Sequence, residues 1–232
     1  MQIADATATA MRLLFSGDGA LWEIVGVSLA VSGAALLLAT PLSLAAAYAL
    51  SENDFFGRRA LIAALQSLLS FPTVVVGLVL YMLLSRQGAL GAWGLLFTPK
   101  AMALGQALIA FPVLTVFSLS ALQKNDPLLL ETVRTFGAGR MRAMWWTFRE
   151  ARFGLVAALL AGFGRVISEV GCALMVGGNI AHYTRGITTA IALETGKGSF
   201  AEGIALGVVL VAMALAASAF LTILQGGGKW RD

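Results

Sequence analysis

Five stretches of this chain are long and apolar enough to cross a membrane, and no other feature restricts the possible folds as strongly. They cover approximately residues 24–50, 61–84, 101–122, 155–178 and 201–224. A helix of about twenty apolar residues crosses roughly 30 Å of hydrocarbon, and each stretch offers that length. With 59% hydrophobic and only 12% charged residues, the composition excludes an ordinary soluble domain. The sequence therefore predicts an all-α, multi-pass membrane protein with five transmembrane helices.

We expect a single transmembrane domain over residues 1–232. No linker run, low-complexity tract or shift of composition divides the chain. The segment before residue 24 is too polar for a cleavable signal peptide, so we expect the first span to be retained. Proline occurs inside three spans, at Pro41, Pro72 and Pro112. Each is expected to bend its helix by removing a backbone hydrogen bond.

The basic residues predict the orientation in the membrane. Five spans place the loops 51–60 and 123–154 with the C-terminus on one side, and the loops 85–100 and 179–200 with the N-terminus on the other. The first side carries ten of the sixteen Lys and Arg residues, the second carries five, and Arg165 lies inside a span. By the positive-inside rule the C-terminus is cytoplasmic and the N-terminus lies outside. The net charge of +4 reflects this distribution, and no motif points to a nucleic acid partner.

The loop 123–154 is the charged segment that stands out between the spans. Asp126-Pro127 predicts a helix start, because Asp caps free N–H groups and Pro fits the first helical position. Gly137 is expected to end that helix, and a basic amphipathic helix containing two tryptophans follows. From its residues alone, this second helix is either anchored in an anionic leaflet or is a docking surface for a soluble partner.

Arg165 and Glu169 form a charged pair inside the fourth span. Inserting either charge alone at the bilayer centre costs roughly 2.5–3.5 kcal/mol, so the two side chains must pair or face water. Their spacing places them on one helix face, with Ser168 beside both. Two interpretations remain open: a structural ion pair, or a basic group on the route of an anion whose affinity Glu169 moderates.

Cysteine and histidine offer no basis for a metal site or a disulfide within one chain, since Cys172 and His182 are each single. We expect Cys172 to be a small packed residue and His182 a loop residue at the outer interface. The outer loop also carries Thr184, Thr188 and Thr189. Their hydroxyls are expected either to face water or to contact a substrate-loaded binding protein.

Several motifs carry a resemblance to a known family. Glu131, Thr132 and Val133, followed by Gly137, resemble the Glu-Ala-Ala-x-x-x-Gly coupling loop of ABC importer permeases. The stretches SFPTVVVGLVLYMLLSRQGALG and AGFGRVISEVGCALMVGGNI are similar to the permeases for molybdate, tungstate and sulfate. Within that group, YTRGITTAIALETGKG looks most like the tungstate permeases.

The resemblance implies the architecture of a type I ABC importer permease and a set of partners. It implies a homodimer in the lipid bilayer, two ATP-binding cassette subunits that bind ATP and Mg on the cytoplasmic side, and an extracytoplasmic oxyanion-binding protein. The implied site residues form three groups: Glu131, Thr132, Val133, Gly137 and Arg140 in the ATPase-coupling loop, Arg165, Ser168 and Glu169 on the translocation pathway, and Asn179, Thr184 and Thr188 at the outer gate.

The pair Gly196-Lys197 lacks the glycine five residues earlier that a phosphate-binding loop requires. The chain is therefore expected to be a translocation subunit without enzymatic activity and without a bound cofactor or metal. Tungstate is the leading substrate, with molybdate or sulfate next. A self-contained ion channel or secondary carrier is the rival of a different class, and a membrane-embedded enzyme would need a catalytic cluster that the sequence lacks.

Overall fold

A computed structural model describes residues 11–12, 17, 19–125, 128, 135 and 139–224. Within these residues the secondary structure is helical, with no strand. The helices are α1 (Gly19–Glu52), α2 (Arg58–Leu68), α3 (Thr73–Leu84), α4 (Pro99–Leu122), α5 (Arg140–Glu150), α6 (Arg152–Ile167), α7 (Gly171–Gly177), α8 (Ile187–Lys197) and α9 (Phe200–Leu224), with a short 3₁₀ turn at Gly91–Trp93. The predicted all-α class is confirmed.

The predicted spans appear as three single helices and two broken pairs. Helices α1, α4 and α9 are each long and apolar enough to cross a membrane. The second span is divided into α2 and α3, with a bend of 95°, and the fourth into α6 and α7, with a bend of 60°. Counting each pair as one span gives the five that the sequence predicts. The bend expected at Pro72 in the second span is present, whereas nothing in the sequence predicts the break in the fourth span.

The three prolines occupy two kinds of position. Pro72 immediately precedes α3, in extended backbone, and therefore lies at a break rather than within a helix. Pro41 and Pro112 lie inside α1 and α4. Beside Pro112, Ser43 of α1 donates a hydrogen bond of 3.2 Å to the carbonyl oxygen of Phe111 in α4. Thus only one of the three prolines lies at a helix boundary, at the start of α3.

Four apolar clusters fix the two ends and the middle of the bundle. At one end Leu50, Leu65 and Leu122 pack with Ala151, so α1, α2 and α4 meet the start of α6. At the other end the first turns of α1 pack against α8 and α9. Between them, α4 packs against α1 and α6 in one cluster and against α3 and α7 in another. The end containing Leu122 is referred to below as the Leu122 end.

The short helix α7 is packed very closely against α3 and α4. A Cβ atom on Gly77 would lie 2.8 Å from the Cα of Cys172, and one on Gly105 would lie 2.5 Å from the Cys172 sulfur. Cys172 itself is fully buried, as the sequence predicts. Small residues therefore serve close helix approach here, although Gly164 in α6 has open space beside it.

Candidate functional site at the break in the fourth span

The predicted charged pair exists, and it forms at the end of α6. Arg165 Nη1 lies 3.0 Å from Glu169 Oε2, and the two side chains are 33% and 2% exposed. Arg165 is in the last turn of the helix, whereas Glu169 lies beyond its end at Ile167. The expectation that both residues share one continuous helix face is therefore wrong, and the ion pair instead spans the break.

Glu169 is held from three directions. Its second carboxylate oxygen accepts a hydrogen bond from the backbone N–H of Cys172 in α7, at 3.1 Å. Its backbone carbonyl accepts a hydrogen bond of 2.7 Å from the Thr188 hydroxyl in α8. The Arg165 contact and the Cys172 N–H satisfy a carboxylate that is almost completely buried, as its charge requires. With the Thr188 bond to the backbone, these contacts connect α6, α7 and α8 through one residue.

Ser168 lies next to the pair but does not bond to either charged side chain. Its hydroxyl donates to the carbonyl oxygens of Gly164 at 2.8 Å and Arg165 at 3.2 Å, and the residue is exposed. The hydroxyl thus satisfies carbonyls of the last turn of α6, which the helix itself leaves open.

A cavity of about 50 Å³ lies between Arg165 and the break in the second span. Its walls include Leu69, Phe71 and Thr73 at that break and Pro112 in α4, and Arg165 is its single charged lining residue among those described. Thr73 and Val76 in the first turn of α3 also line it, so the amino end of that helix adjoins the cavity. The two broken spans therefore meet at this cavity.

The residues predicted for the outer gate are mainly engaged within their own loop. Thr184 is completely buried, donates a 2.6 Å hydrogen bond to the Gly177 carbonyl, and accepts one from the Ile180 N–H at 2.9 Å. Asn179 adopts a positive φ of 51° and donates to the Thr189 carbonyl at 3.3 Å. The expectation that the threonine hydroxyls face water is therefore wrong for Thr184 and for Thr189, which is also buried and donates to the Gly186 carbonyl. The Thr188 hydroxyl donates to the Glu169 carbonyl instead.

Sequence reasoning missed two features of this site. The hydrogen bond from Thr188 to Glu169 joins residues 19 positions apart, and no helical spacing signals it. The place of Thr73 beside the cavity had a signal, because a proline followed by threonine inside an apolar run is typical of a helix start.

His182 is an exposed loop residue, as expected, and its Nδ1 lies 2.7 Å from Glu23 Oε2.

Residues 39–227 match the family described as the inner membrane component of binding-protein-dependent transport systems. The chain belongs to this family. A "probable anion ABC transporter permease protein" of Haloferax volcanii is 43% identical over 217 residues, which are 91% of each chain. A tungstate uptake system permease protein of Peptoclostridium acidaminophilum is 38% identical over 224 residues, which are 96% of this chain and 98% of that protein.

A solved structure shares the fold of this permease. It is a bacterial alginate ABC transporter in complex with an alginate-bound periplasmic protein. The similar chain has a TM-score of 0.69 at 20% identity, over 93% of this permease and 81% of that chain. The predicted ABC importer permease architecture is thereby confirmed, as is the resemblance to permeases of anion and tungstate transporters.

The predicted coupling loop of the permease lies largely outside the described residues, which exclude Glu131, Thr132, Val133 and Gly137. Arg140 is the first residue of α5. The assignment of these residues to ATPase docking therefore stays a prediction.

Proposed function

We propose that this permease forms a homodimer that passes an oxyanion from an extracytoplasmic binding protein into the cytoplasm, driven by two ATP-binding cassette subunits. Tungstate is the first candidate and molybdate or sulfate the next. Support comes from the relatives, because one is named for tungstate uptake and the other for anion transport, and each aligns with nearly the whole permease. The alginate transporter, which holds a periplasmic protein, supports a binding protein as a partner.

Within the chain, Arg165 is the observation that carries the proposal. It lies 13 residues after the start of α6, about 20 Å along the helix axis, and hence near mid-membrane. One third of its side chain is exposed although its partner Glu169 is buried. A guanidinium that is paired yet still accessible can attract an oxyanion and release it again.

The surroundings of Arg165 favour an anion over a cation. Thr73, the first residue of α3, lines the adjoining cavity. The amino end of a helix carries partial positive charge. Glu169 turns both carboxylate oxygens to Arg165 and Cys172, so its negative charge is already bound. In the proposed mechanism, rearrangement at the two breaks opens the cavity, and Arg165 contacts the passing oxyanion.

The test is tungstate uptake by the assembled transporter in vesicles, normalised to the amount of complex. Replacing Arg165→Met together with Glu169→Gln removes both charges without stranding either. We expect normal assembly with the ATPase subunits and a loss of uptake of at least about ten-fold, the usual scale for losing a charged contact. Arg86→Gln is the control, since it removes one exposed arginine from a loop. Near-normal uptake by the double variant would reduce Arg165 to a structural residue.

Coupling and orientation need separate tests. Replacing Glu131 and Gly137 should abolish ATP-dependent uptake while the permease still inserts, and full activity would reject the docking assignment.

For orientation, cysteines at the exposed positions Gly139 and Gly196 should react with membrane-impermeant reagents from opposite sides, Gly139 from the cytoplasm. Labelling from the same side would contradict the five-span topology.

A further inference from the structure

Helix α5 presents a face of large side chains that nothing in the described structure covers. Met141, Trp145 and Trp146 are 74%, 53% and 43% exposed. Arg149 continues this face at helical spacing, Arg152 follows it as the first residue of α6, and both are exposed. The face formed by Met141, Trp145, Trp146, Arg149 and Arg152 is named the tryptophan face below.

The opposite side of α5 is packed, so the exposure is not a sign of a loosely attached helix. Ala143 and Thr147 are buried, and the Thr147 carbonyl accepts a 3.0 Å hydrogen bond from Asn125 Nδ2. Phe148 packs into the apolar cluster at the Leu122 end, where its ring meets that of Tyr48 edge-on at 5.6 Å. Helix α5 is therefore fixed with the tryptophan face turned outward.

Arg149 is the centre of the tryptophan face. Its guanidinium carbon lies 5.1 Å from the ring centre of Trp145 and 5.2 Å from that of Trp146. The two indole rings meet edge-on at 5.1 Å. Among the described residues, no carboxylate or carbonyl pairs with this guanidinium. It is thus a stacked, oriented cation with its hydrogen-bond donors free.

The chain places this face beside the membrane. Only Ala151 separates the end of α5 from the start of α6 at Arg152, and α6 opens the fourth span. Tryptophan side chains favour the headgroup layer of a bilayer, with the ring in the apolar part and the N–H near water. The segment also carries four arginines, Arg140, Arg142, Arg149 and Arg152, against Glu150, which is a net charge of +3.

From this geometry we propose that the tryptophan face lies in the headgroup layer of the adjoining leaflet and selects anionic phospholipids, with Arg149 binding the lipid phosphate. The occupant is lipid because the exposed set combines indoles at interfacial depth with a free, stacked guanidinium and net positive charge. A guanidinium offers a phosphate two parallel hydrogen bonds, and the indole rings hold it in place for that contact.

The experiment measures tryptophan fluorescence of the full-length permease in vesicles. Trp22→Phe, Trp93→Phe and Trp230→Phe leave Trp145 and Trp146 as the reporters. Vesicles contain equal amounts of phosphatidylglycerol and phosphatidylcholine, with bromine on the chains of one or the other. We expect brominated phosphatidylglycerol to quench with about five-fold higher apparent affinity, the scale expected for one basic residue at an anionic surface. Aqueous iodide should quench weakly.

Two variants distinguish phosphate binding at Arg149 from attraction of anionic lipid by the net positive charge of the helix. Arg149→Gln should reduce the preference for phosphatidylglycerol to less than two-fold, whereas Arg142→Gln, an exposed arginine of the same helix, should retain most of it. A permease that keeps Trp93 alone, 64% exposed outside α5, should show no preference. Equal loss in both arginine variants would assign the effect to net charge and overturn the proposal.

Two further results would also overturn it. Equal quenching by the two brominated lipids would mean that the face anchors in the bilayer without selecting anionic headgroups. Strong quenching by iodide with none by either lipid would place the face in water. Loss of iodide quenching on addition of the ATPase subunits would then identify a protein as the occupant.

Discussion

The second and fourth spans are each broken into two helices, but the two breaks are held in different ways. Between α2 and α3 the chain bends by 95°, and successive hydrogen bonds to the third residue back, such as Phe71 N–H to the Leu68 carbonyl, close the end of α2 before Pro72. Between α6 and α7 the bend is 60°, and no proline is present. The buried residue Glu169 binds three neighbours there: its carboxylate accepts from Arg165 and from the Cys172 N–H, and its backbone carbonyl accepts from the Thr188 hydroxyl. A proline marks the first break, and the packing of α3 against α7 holds it, whereas the second break has no local signal and depends on the contacts of one buried residue.

This difference predicts where the protein is vulnerable. The bend at Pro72 should lose little stability when one side chain changes, because the neighbouring helices still hold α2 and α3 in place. A break organised around Glu169 loses a paired charge, a hydrogen bond or close packing with each substitution. Substitutions around Glu169 should therefore destabilise the permease more than a substitution at Pro72.

Arg165→Met should produce the largest loss of stability. It leaves Glu169, 2% exposed, without its cationic partner, and removing one member of a buried ion pair costs about 3–5 kcal/mol. Unfolding of the purified permease in detergent, followed by circular dichroism, measures the change. Addition of Glu169→Gln should recover most of the loss. A single variant as stable as the wild type would show that the carboxylate finds water or another partner.

Gly105→Ala should have the next largest effect, because its Cβ would lie 2.5 Å from the Cys172 sulfur. Overpacking of this kind costs about 1–3 kcal/mol. The same substitution combined with Cys172→Ala removes the clashing sulfur and should restore stability, which a double-mutant cycle in thermal unfolding would reveal. Gly164→Ala is the matched control, since nothing lies within 4 Å of its added Cβ. A loss at Gly164 equal to that at Gly105 would contradict the close seating of α7.

Thr188→Val should destabilise the fourth span by about 1 kcal/mol, because it deletes the hydrogen bond to the Glu169 carbonyl while keeping the side-chain shape. The control is Thr195→Val in the same helix α8, an exposed residue that should change stability by less than about 0.5 kcal/mol. Equal thermal unfolding of the two variants would mean that the Thr188 contact adds nothing to the break.

The sequence predicts the fold class and the number of spans because apolar length is a local property, summed over about twenty residues. It also predicts the pairing of Arg165 with Glu169, since a charge in hydrocarbon must be neutralised and the partner lies four residues away. What it misses depends on tertiary structure. The end of α6 at Ile167 has no proline to signal it, and Thr188 reaches Glu169 only when α8 is packed against α1 and α9.

The same reasoning explains the error at Thr184. A threonine in a polar loop is expected to face water, yet this loop folds onto the end of α7 and leaves carbonyls that need donors. The Thr184 hydroxyl supplies one to Gly177 in a fully buried position. Which backbone groups a loop must satisfy becomes known only when its path is known, so no pattern of residue types could have separated the buried Thr184 from the exposed Thr195.

Pro72→Ala should have the smallest effect, a loss of about 0.4–1 kcal/mol that arises mainly from the greater freedom of the unfolded chain. The 95° bend should remain, because α3 is held against α7 where Gly77 meets Cys172. Spin labels at Ala64 in α2 and Val79 in α3, both exposed, would test this by their separation. A continuous helix would place their backbones about 22 Å apart, and the bend holds them closer. Pro99→Ala, at the first turn of α4, controls for the entropy change without touching a break. If Pro72→Ala moved the labels to the continuous-helix distance, the proline alone would hold the second span open, and the packing against α7 would have to be a consequence of the bend.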